Sequence, residues 1–552
     1  MEEKLFSNEE MRDIMQEIIV KKKVVFKEYS ANQSFIFPHN SDEYISKDHI
    51  ARLISVVIDR MDIGFIIDTY VGGGTSCYNP RMMLKVWILA FIYKIYSSRS
   101  LGKALRENIA FIWISGHQEV DFRTLNNFRL RLKGDIKKIF KQIVMLGVEL
   151  GIVSGKNVFI DHTKLEANAN KHKIIWKKQV NKRLNSIDSE LDKLFEYIDN
   201  LNIEEDKING ENENDSDKIK SFSKEQIDNI IEKINKNIKS KEIDRGSGTE
   251  IKKKLRRTKE LIGKKEEYSQ KKDILGEKNS YSKTDNDAVG MMQKDKLNIK
   301  PSYNEGIATE NNFVLDYVES QISADNVSFI ELMDGVIENM GITPENAHAD
   351  SAYGTEENSE YLNDKGINNY LKFNTFRSEK SRKWHREKVR KEDFLYDKEN
   401  DCYICFNRKE LHFEKNKKVV STTGFESQLR IYKAKEESCK ECPFKKYCTT
   451  TSSREIQINE NYEKHKDAMR ENLKSDYGLE LRKKRGNEVE TVFGCRKYND
   501  KFNRFHLRGL DKIRIESGLY YCSYNLKKVY SFICEKIKSD IFNFKSIVLL
   551  NN

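Results

Sequence analysis

Between residues 184 and 201, six apolar side chains, Leu184, Ile187, Leu191, Leu194, Ile198 and Leu201, recur at alternating spacings of three and four. That rhythm is a heptad seam, and it admits one local structure, a long helix with an apolar stripe. Ile227, Ile231, Ile234 and Ile238 repeat the pattern, while Asn209 to Asp217 between them is a polar breaker with no apolar face. A dense basic run, Lys252, Lys253, Lys254, Arg256 and Arg257, follows. Residues 177–275 therefore read as a long helical hairpin, suited to packing or self-association first and to DNA contact second.

The hairpin is flanked by strand signals, so it reads as an insertion. Upstream lies NVFIDHTKLEANAN, residues 157–170, in which Val158, Phe159 and Ile160 deliver one carboxylate, Asp161. Downstream, Ser302–Thr309 and Phe313–Ile322 read as paired strands turning at Glu310, Asn311 and Asn312, and Phe329–Met340 reads as a helix. Asn346–Gly354 is a short strand leading to a second carboxylate, Asp350. Glu356–Lys365 reads as a helix and Asn369–Phe373 as a strand. An Asp ending a strand holds a metal rigidly or merely caps a turn, and neither stretch alone decides.

Residues 1–155 read as all-helical, with helices at Ala51–Met61, from Pro80 towards Ile95, Leu101–Trp113, Asp121–Lys133 and Ile136–Leu150. In Asp121–Lys133 the cations Arg123, Arg129, Arg131 and Lys133 surround Leu125, Phe128 and Leu132. Such a face lies along phosphates or is simply solvated. Residues 376–455 are basic, turn-rich and cysteine-bearing. Cys402 and Cys405 form one pair, Cys439 and Cys442 another, and Cys448 follows. Paired thiolates on short turns suit a tetrahedral structural zinc, with free buried thiols as the alternative. The last part is helical from Leu481. Glu488 and Glu490 both border its apolar stripe Val489, Val492 and Phe493, and periodicity does not choose between them.

Charge is permissive rather than decisive. The 98 Lys and Arg against 87 Asp and Glu give +11 over 552 residues, which allows nucleic-acid binding without requiring it. The acidic start lacks an apolar segment, and Met82–Tyr96 is broken by Lys85 and Lys94. A soluble, cytoplasmic protein with no membrane partner is expected.

Two strand-borne Asp residues and a helical Glu beside basic residues fit two-metal phosphoryl chemistry, since hard divalent ions prefer carboxylate oxygens. Longer blocks carry more. YNPRMMLKVWILAFIYKIYSSRSLGKALRENIAFIWISG with DFRTLNNFR, FIDHTKLEANANKHKIIW, DNDAVGMM with PSYNEGIATE, HADSAYGTEEN, and RGNEVETVFGCRKYN with RFHLRGLDKIRIESGLYYCSYNLKKV stand in this order. The chain resembles bacterial insertion-sequence transposases of the DDE type, in the group numbered eleven-eighty-two. The resemblance implies an α/β, overall α+β, architecture. A helical N-terminal DNA-binding domain spans 1–155, and an RNase H-like core begins at 156–375 with the coiled-coil hairpin inserted. A cysteine-bearing insertion spans 376–480, and a helical remainder of the core spans 481–552. It further implies Asp161, Asp350 and Glu490 as catalytic ligands of Mg or Mn. Glu490 is selected because Lys497 follows seven places later, whereas Arg485 stands five before it where a related signature has four. Cys405, Cys439, Cys442 and Cys448 match the family's cysteine positions and are the candidate zinc ligands, leaving Cys402 as an extra. Transposon ends and target DNA are the implied partners, contacted by Lys497, Arg485, Arg123, Arg129 and Arg131, with a homodimer pairing two ends. The rival expectations are a superfamily nuclease without strand transfer and a non-catalytic, zinc-containing coiled-coil DNA-binding regulator.

Overall fold

The computed structural model describes residues 41–70, 77–209, 224–239, 245–293, 297–382, 384 and 389–550. Two units are distinguished, 1–46 and 47–552. The first is described only by a short 3-10 turn, Ser41–Tyr44, and the rest concerns the second. The polar breaker 210–217 and the Gly72–Gly74 run lie outside the described residues, as do the side chains of Ile198, Leu201, Ile234 and Ile238.

The leading helices longer than a single turn are α1 (Ile50–Arg60), α2 (Pro80–Ile92), α3 (Ser98–Glu107), α4 (Ile109–Ile114), α5 (Phe122–Arg131) and α6 (Ile136–Glu149). Pro80 takes the first turn of α2, where its missing N–H costs nothing, and the Asn79 side chain caps the Arg81 N–H. The stretch Leu101–Trp113, which reads as one helix, is two. Asn108 ends α3 in an extended conformation, and its side chain accepts the Ala110 N–H to start α4. Helix α2 is apolar almost all round and is buried from Met83 to Phe91 apart from Lys85, as a helix without a polar face must be.

Next come β1 (Asn157–Glu166), β2 (Ile174–Trp176), α7 (Lys177–Asn209), α8 (Lys224–Lys239), α9 (Arg245–Leu275), β3 (Ser280–Ser282), β4 (Val289–Met292), β5 (Ile299–Glu310), β6 (Phe313–Ser320), α10 (Phe329–Met340), β7 (Asn346–His348), α11 (Glu356–Asp364) and β8 (Asn368–Asn369). The main sheet runs β4-β5-β1-β7-β8, with β6 also paired to β5. β5 is antiparallel to both β1 and β6, while β7 is parallel to β1 and β8 to β7. Asn311 and Asn312 close the β5–β6 hairpin with φ of 55° and 58°, the left-handed pair that a two-residue turn requires.

The inserted helices bury their heptad seam against one another. Ile187 and Leu191 of α7 pack on Leu261 of α9. Ile227 of α8 packs on Leu255, and Val180 and Leu184 meet Leu275 and Tyr281 at the base. The described part of the seam expected to serve packing or self-association is thus occupied within the chain.

The cysteine-bearing region, legible only as turn-rich, is a five-stranded antiparallel sheet. It is ordered β13 (Glu455–Ile458), β12 (Glu426–Ala434), β11 (Glu410–Val420), β10 (Cys402–Ile404) and β9 (Leu395–Asp397). After it come α12 (Glu460–Lys474), α13 (Asp476–Gly494), a π-helical turn (Cys495–Asn499) and α14 (Leu510–Leu550). Helix α14 packs against α2, α6 and β6, so the chain's last helix covers both its first helices and its sheet. Among the described residues no helix is long and apolar enough to cross a membrane.

Behind the sheet, Glu319 on β6 is 3% exposed with one carboxylate oxygen unpartnered. Burial, then the neighbouring Glu305, pushes its carboxyl up to about 7. The unfolded chain ionises this group near its ordinary value and the native chain only near 7. Stability therefore falls as pH rises between the two and is flat above. Glu319→Gln is expected to raise stability at pH 8 by roughly 1–3 kcal/mol and to leave it little changed at pH 4. Urea unfolding at both pH values checks this, and an equal effect at both would contradict it.

Candidate active site

Register brings the two aspartates together. β1 pairs with β7 in parallel, Asn157 opposite Asn346 and Phe159 opposite His348. Continued by two residues, that register sets Asp350 beside Asp161 on neighbouring chains, which lie about 4.8 Å apart in a sheet. Asp161 is not at a strand end as the sequence suggested. β1 continues to Glu166 because its polar second half stays paired to β5, Asp161 opposite Ile307 and Glu166 opposite Ser302.

Successive side chains on β1 face opposite ways, and the inward ones lock the strand. The buried His162 ring bonds the Tyr353 hydroxyl at 2.6 Å and the Ser328 hydroxyl at 2.9 Å. Gly306 on β5 makes room for that ring, since a Cβ there would sit 2.4 Å from it. Asp161 on the other face accepts the His162 N–H at 2.9 Å, and Asp350 accepts the Ala352 N–H at 2.9 Å.

Helix α13 crosses above. Arg485 places Nη2 3.2 Å from Asp161 Oδ2 and 3.9 Å from Asp350 Oδ2, so it bridges the pair. Burial nevertheless raises the Asp161 carboxyl to about 6, with Asp350 and Asp325 adding to the rise against Arg485 and the His162 N–H. Asp325 is a carboxylate that the sequence did not single out. It precedes α10, is held by the Asn304 amide at 2.8 Å, and is influenced electrostatically by Asp350 and Lys164. No motif marks it, because its place depends on the β5–β6 hairpin.

The structure separates the two glutamates that periodicity left equal. Glu488 is buried and accepts the Asn312 N–H at 2.6 Å at the β5–β6 turn. Glu490 is exposed and lines a cavity of about 510 Å³ together with Asp161, Thr163, Lys164, Gln293, Lys300 and Lys497. Lys497 reaches β1 two residues beyond Asp161, donating to Thr163 Oγ1 at 2.5 Å and to the Lys164 carbonyl at 3.0 Å. Its direction is set by the π-turn, in which the fully buried Arg496 bonds Glu305 at 2.5 Å and Ser517 at 3.2 Å among the rings of Phe502, Phe505, Tyr520 and Tyr521. The tail of the first block docks onto the third, Asn168 bonding the His506 carbonyl at 2.7 Å and Arg508 the Asn168 carbonyl at 2.8 Å.

The basic helix α5 is only partly available. Arg129 is 4% exposed, lies 4.6 Å from the Trp87 ring, and bonds the Tyr96 carbonyl and the Asn126 side chain. It is therefore a packing residue, and its expected contact with DNA does not fit this placement. Arg123 and Arg131 are exposed, Arg131 over the Tyr70 ring.

The four matched cysteines share one neighbourhood. Cys405, Cys439 and Cys448 pack against the core of the second sheet, and Cys405, Cys439 and Cys442 all act electrostatically on Cys448. The Lys409 N–H points at Cys405 Sγ at 3.4 Å, with Arg408 at φ 55° making the tight turn, and the Asn407 amide lies 3.5 Å from Cys442 Sγ. Cys402 is buried on β10, and burial raises its thiol. Among the described residues, no three His, Cys, Asp or Glu side chains are drawn tightly enough together to ligate one ion. The all-oxygen donors Asp161, Asp350 and Glu490 suit a hard divalent cation in chemistry.

Two family models match. Residues 404–530 match the one described as a transposase DDE domain, and residues 39–131 match a transposase domain (DUF772). Both matches are to transposase domains, and together they support an insertion-sequence DDE transposase. Glu490, Lys497 and the four cysteines lie inside the DDE match, whereas Asp161 and Asp350 lie outside both spans. No curated protein and no solved structure matches the chain.

Proposed function

We propose that this transposase cleaves DNA at the ends of its element and joins the freed 3′ ends to target DNA, with Asp161, Asp350 and Glu490 as its catalytic carboxylates. The observation that carries this reading is Arg485 bridging Asp161 on β1 and Asp350 just past the end of β7, with Glu490 lining the cavity that Asp161 opens into. The antiparallel trio β6, β5 and β1 followed by parallel β7 and β8 supports an RNase H-like core. These three carboxylates would hold Mg or Mn. When bound, such ions polarise the phosphodiester and stabilise the attacking and leaving oxygens of an in-line displacement. The chain's own groups do the rest. Lys497 and Arg485 hold phosphate oxygens near Asp161, and His162 and Asn304 keep the carboxylate-bearing elements still. The exposed Arg123 and Arg131 of α5 contact the terminal repeats through phosphates. Two ends must be paired, so the active form is a homodimer.

The test is strand cleavage of a labelled duplex taken from the DNA flanking the reading frame, with Mg or Mn. A nick at the element boundary is expected, and intact strands with either metal would contradict the reading.

A structural zinc held by Cys405, Cys439, Cys442 and Cys448 rests on the family resemblance, since these thiols share a neighbourhood without being drawn into a ligand set. Purified protein is expected to carry one zinc per chain and to lose thermal stability on chelation. Elemental analysis without zinc, together with an unmoved melting curve in chelator, would sink the assignment.

A further inference from the structure

Lys372 is a nearly buried cation with nothing to hold. The chain leaving β8 stays beside β7, the Tyr370 N–H donating to the Ala347 carbonyl at 3.0 Å and the Lys372 N–H to the Ala349 carbonyl at 3.4 Å. Side chains two apart on an extended chain share a face, and the face of Asn368, Tyr370 and Lys372 is the one that α13 covers. The Asn368 amide meets Asn346, the Asn346 amide meets Asn157, and Asn157 accepts the Tyr477 hydroxyl of α13. The Tyr370 and Tyr477 rings lie 6.0 Å apart. Lys372 therefore lies under the following turns of α13, which carry Arg482 and Arg485.

Lys372 is 8% exposed, and among the described residues its ammonium has no hydrogen bond and no ion pair. Burial, then Arg485 and Arg377, bring that ammonium down to about 8, with Arg482 acting the same way and Asp350 against them. Asp350 is already shared with Arg485. Glu379, the next carboxylate along the chain, is taken by Arg470 at 3.4 Å and Thr375 at 2.5 Å. On the same face His348 is 1% exposed with both ring nitrogens unpartnered, and Arg485 Nε is unpartnered as well. Buried donors normally find acceptors, and each orphan costs free energy. Lysine, arginines and orphaned donors gathered with too few acceptors call for an anion from outside, and phosphodiester oxygens suit them. The sheet order β4-β5-β1-β7-β8 puts this group on the other side of Asp350 from the cavity that Glu490 lines.

We propose that Lys372, with Arg482 and the exposed Arg377, holds a second phosphate of the DNA strand on the β8 side of Asp350. The inference rests on the transposase reading above and adds a substrate contact to it. A strand crossing the carboxylates is gripped on both sides, by Lys497 on one and by Lys372 on the other. Without the phosphate the unpaired cation costs stability, and with it that cost is offset.

The test combines Lys372→Met, which keeps the stem and removes the charge, with single uncharged methylphosphonate linkages stepped along both strands of the duplex taken from the DNA flanking the reading frame. Binding is measured without divalent metal, so the strands stay intact. One linkage is expected at which neutralising the phosphate costs wild type about tenfold in affinity and costs Lys372→Met nothing, the signature of a direct pair. Arg377→Gln, at an exposed side chain, should blunt the effect of the same linkage. Urea unfolding at pH 7 should find Lys372→Met at least as stable as wild type, since the charge removed is unpaired. No linkage that distinguishes the two proteins, or a Lys372→Met protein that is destabilised and weakened equally at every linkage, would overturn the proposal. Either failure leaves the carboxylates standing if Asp161→Asn still abolishes cleavage. A coupled linkage in a protein that never cuts would sink the catalytic reading alone.

Discussion

Asp161→Asn should lower end cleavage by about 1,000-fold or more, with Asp350→Asn and Glu490→Gln showing the same loss, because on the proposed assignment each removes a charged metal ligand while keeping the side chain's shape. That factor corresponds to about 4 kcal/mol of transition-state stabilisation. Asn at 161 can still accept the His162 N–H, now made at 2.9 Å, and it relieves a buried carboxylate whose proton affinity is already raised. Thermal unfolding should therefore move little, and the loss would be chemical. Glu488→Gln is the matched control. Its carboxylate serves the Asn312 N–H rather than the cavity, so cleavage by the folded protein should stay within about threefold of wild type. Gel analysis of a labelled end duplex with Mn reads all four variants. Wild-type cleavage by Asp161→Asn, or a loss at Glu488 as severe as at Glu490, would break the assignment.

Arg496→Met is expected to destabilise the protein by about 3–5 kcal/mol, the cost of stranding a buried charge. Arg496 and Glu305 are both 0% exposed and 2.5 Å apart, and Tyr521 and Ser517 point hydroxyls at the same carboxylate at 2.8 Å. Removing the guanidinium leaves Glu305 with hydroxyl partners only. The double variant Arg496→Met with Glu305→Met should recover much of the stability, since well-packed apolar groups often replace a buried pair without loss. Cleavage should not recover with it, because the π-turn that aims Lys497 has lost its anchor. Urea unfolding of the single and double variants checks the first part and end cleavage the second. A single variant within 1 kcal/mol of wild type would show that the pair is not structural in the way described.

What could be read in advance followed local pattern. Phe329–Met340 forms the expected helix to the residue, because its apolar spacing and the following glycine both act locally. The Asn311–Asn312 turn was equally legible, since left-handed φ values suit asparagine. Pairing across the chain was not. Asp161 sits mid-strand because β5 continues the ladder past it. The second sheet escaped notice because β11 is exposed along nearly its whole length and alternates poorly. Arg129 looked like part of a solvent-facing basic stripe, yet Trp87 and Glu516, from α2 and α14, enclose it. Within the site, the choice of Glu490 came from family resemblance, and the structure supplies a physical difference from Glu488. Asp325 carried no signal, for it matters only through what the fold brings next to it.

The measurement that bears most directly on the transposase reading is joining. Labelled end duplex, wild-type protein, Mg or Mn and a supercoiled plasmid should give plasmid covalently carrying the label, at sites where the released 3′ end has attacked, and Asp161→Asn should give none. Cut ends that are never joined to plasmid would make the protein a nuclease of the same superfamily. DNA bound but neither cut nor joined would leave only a regulator.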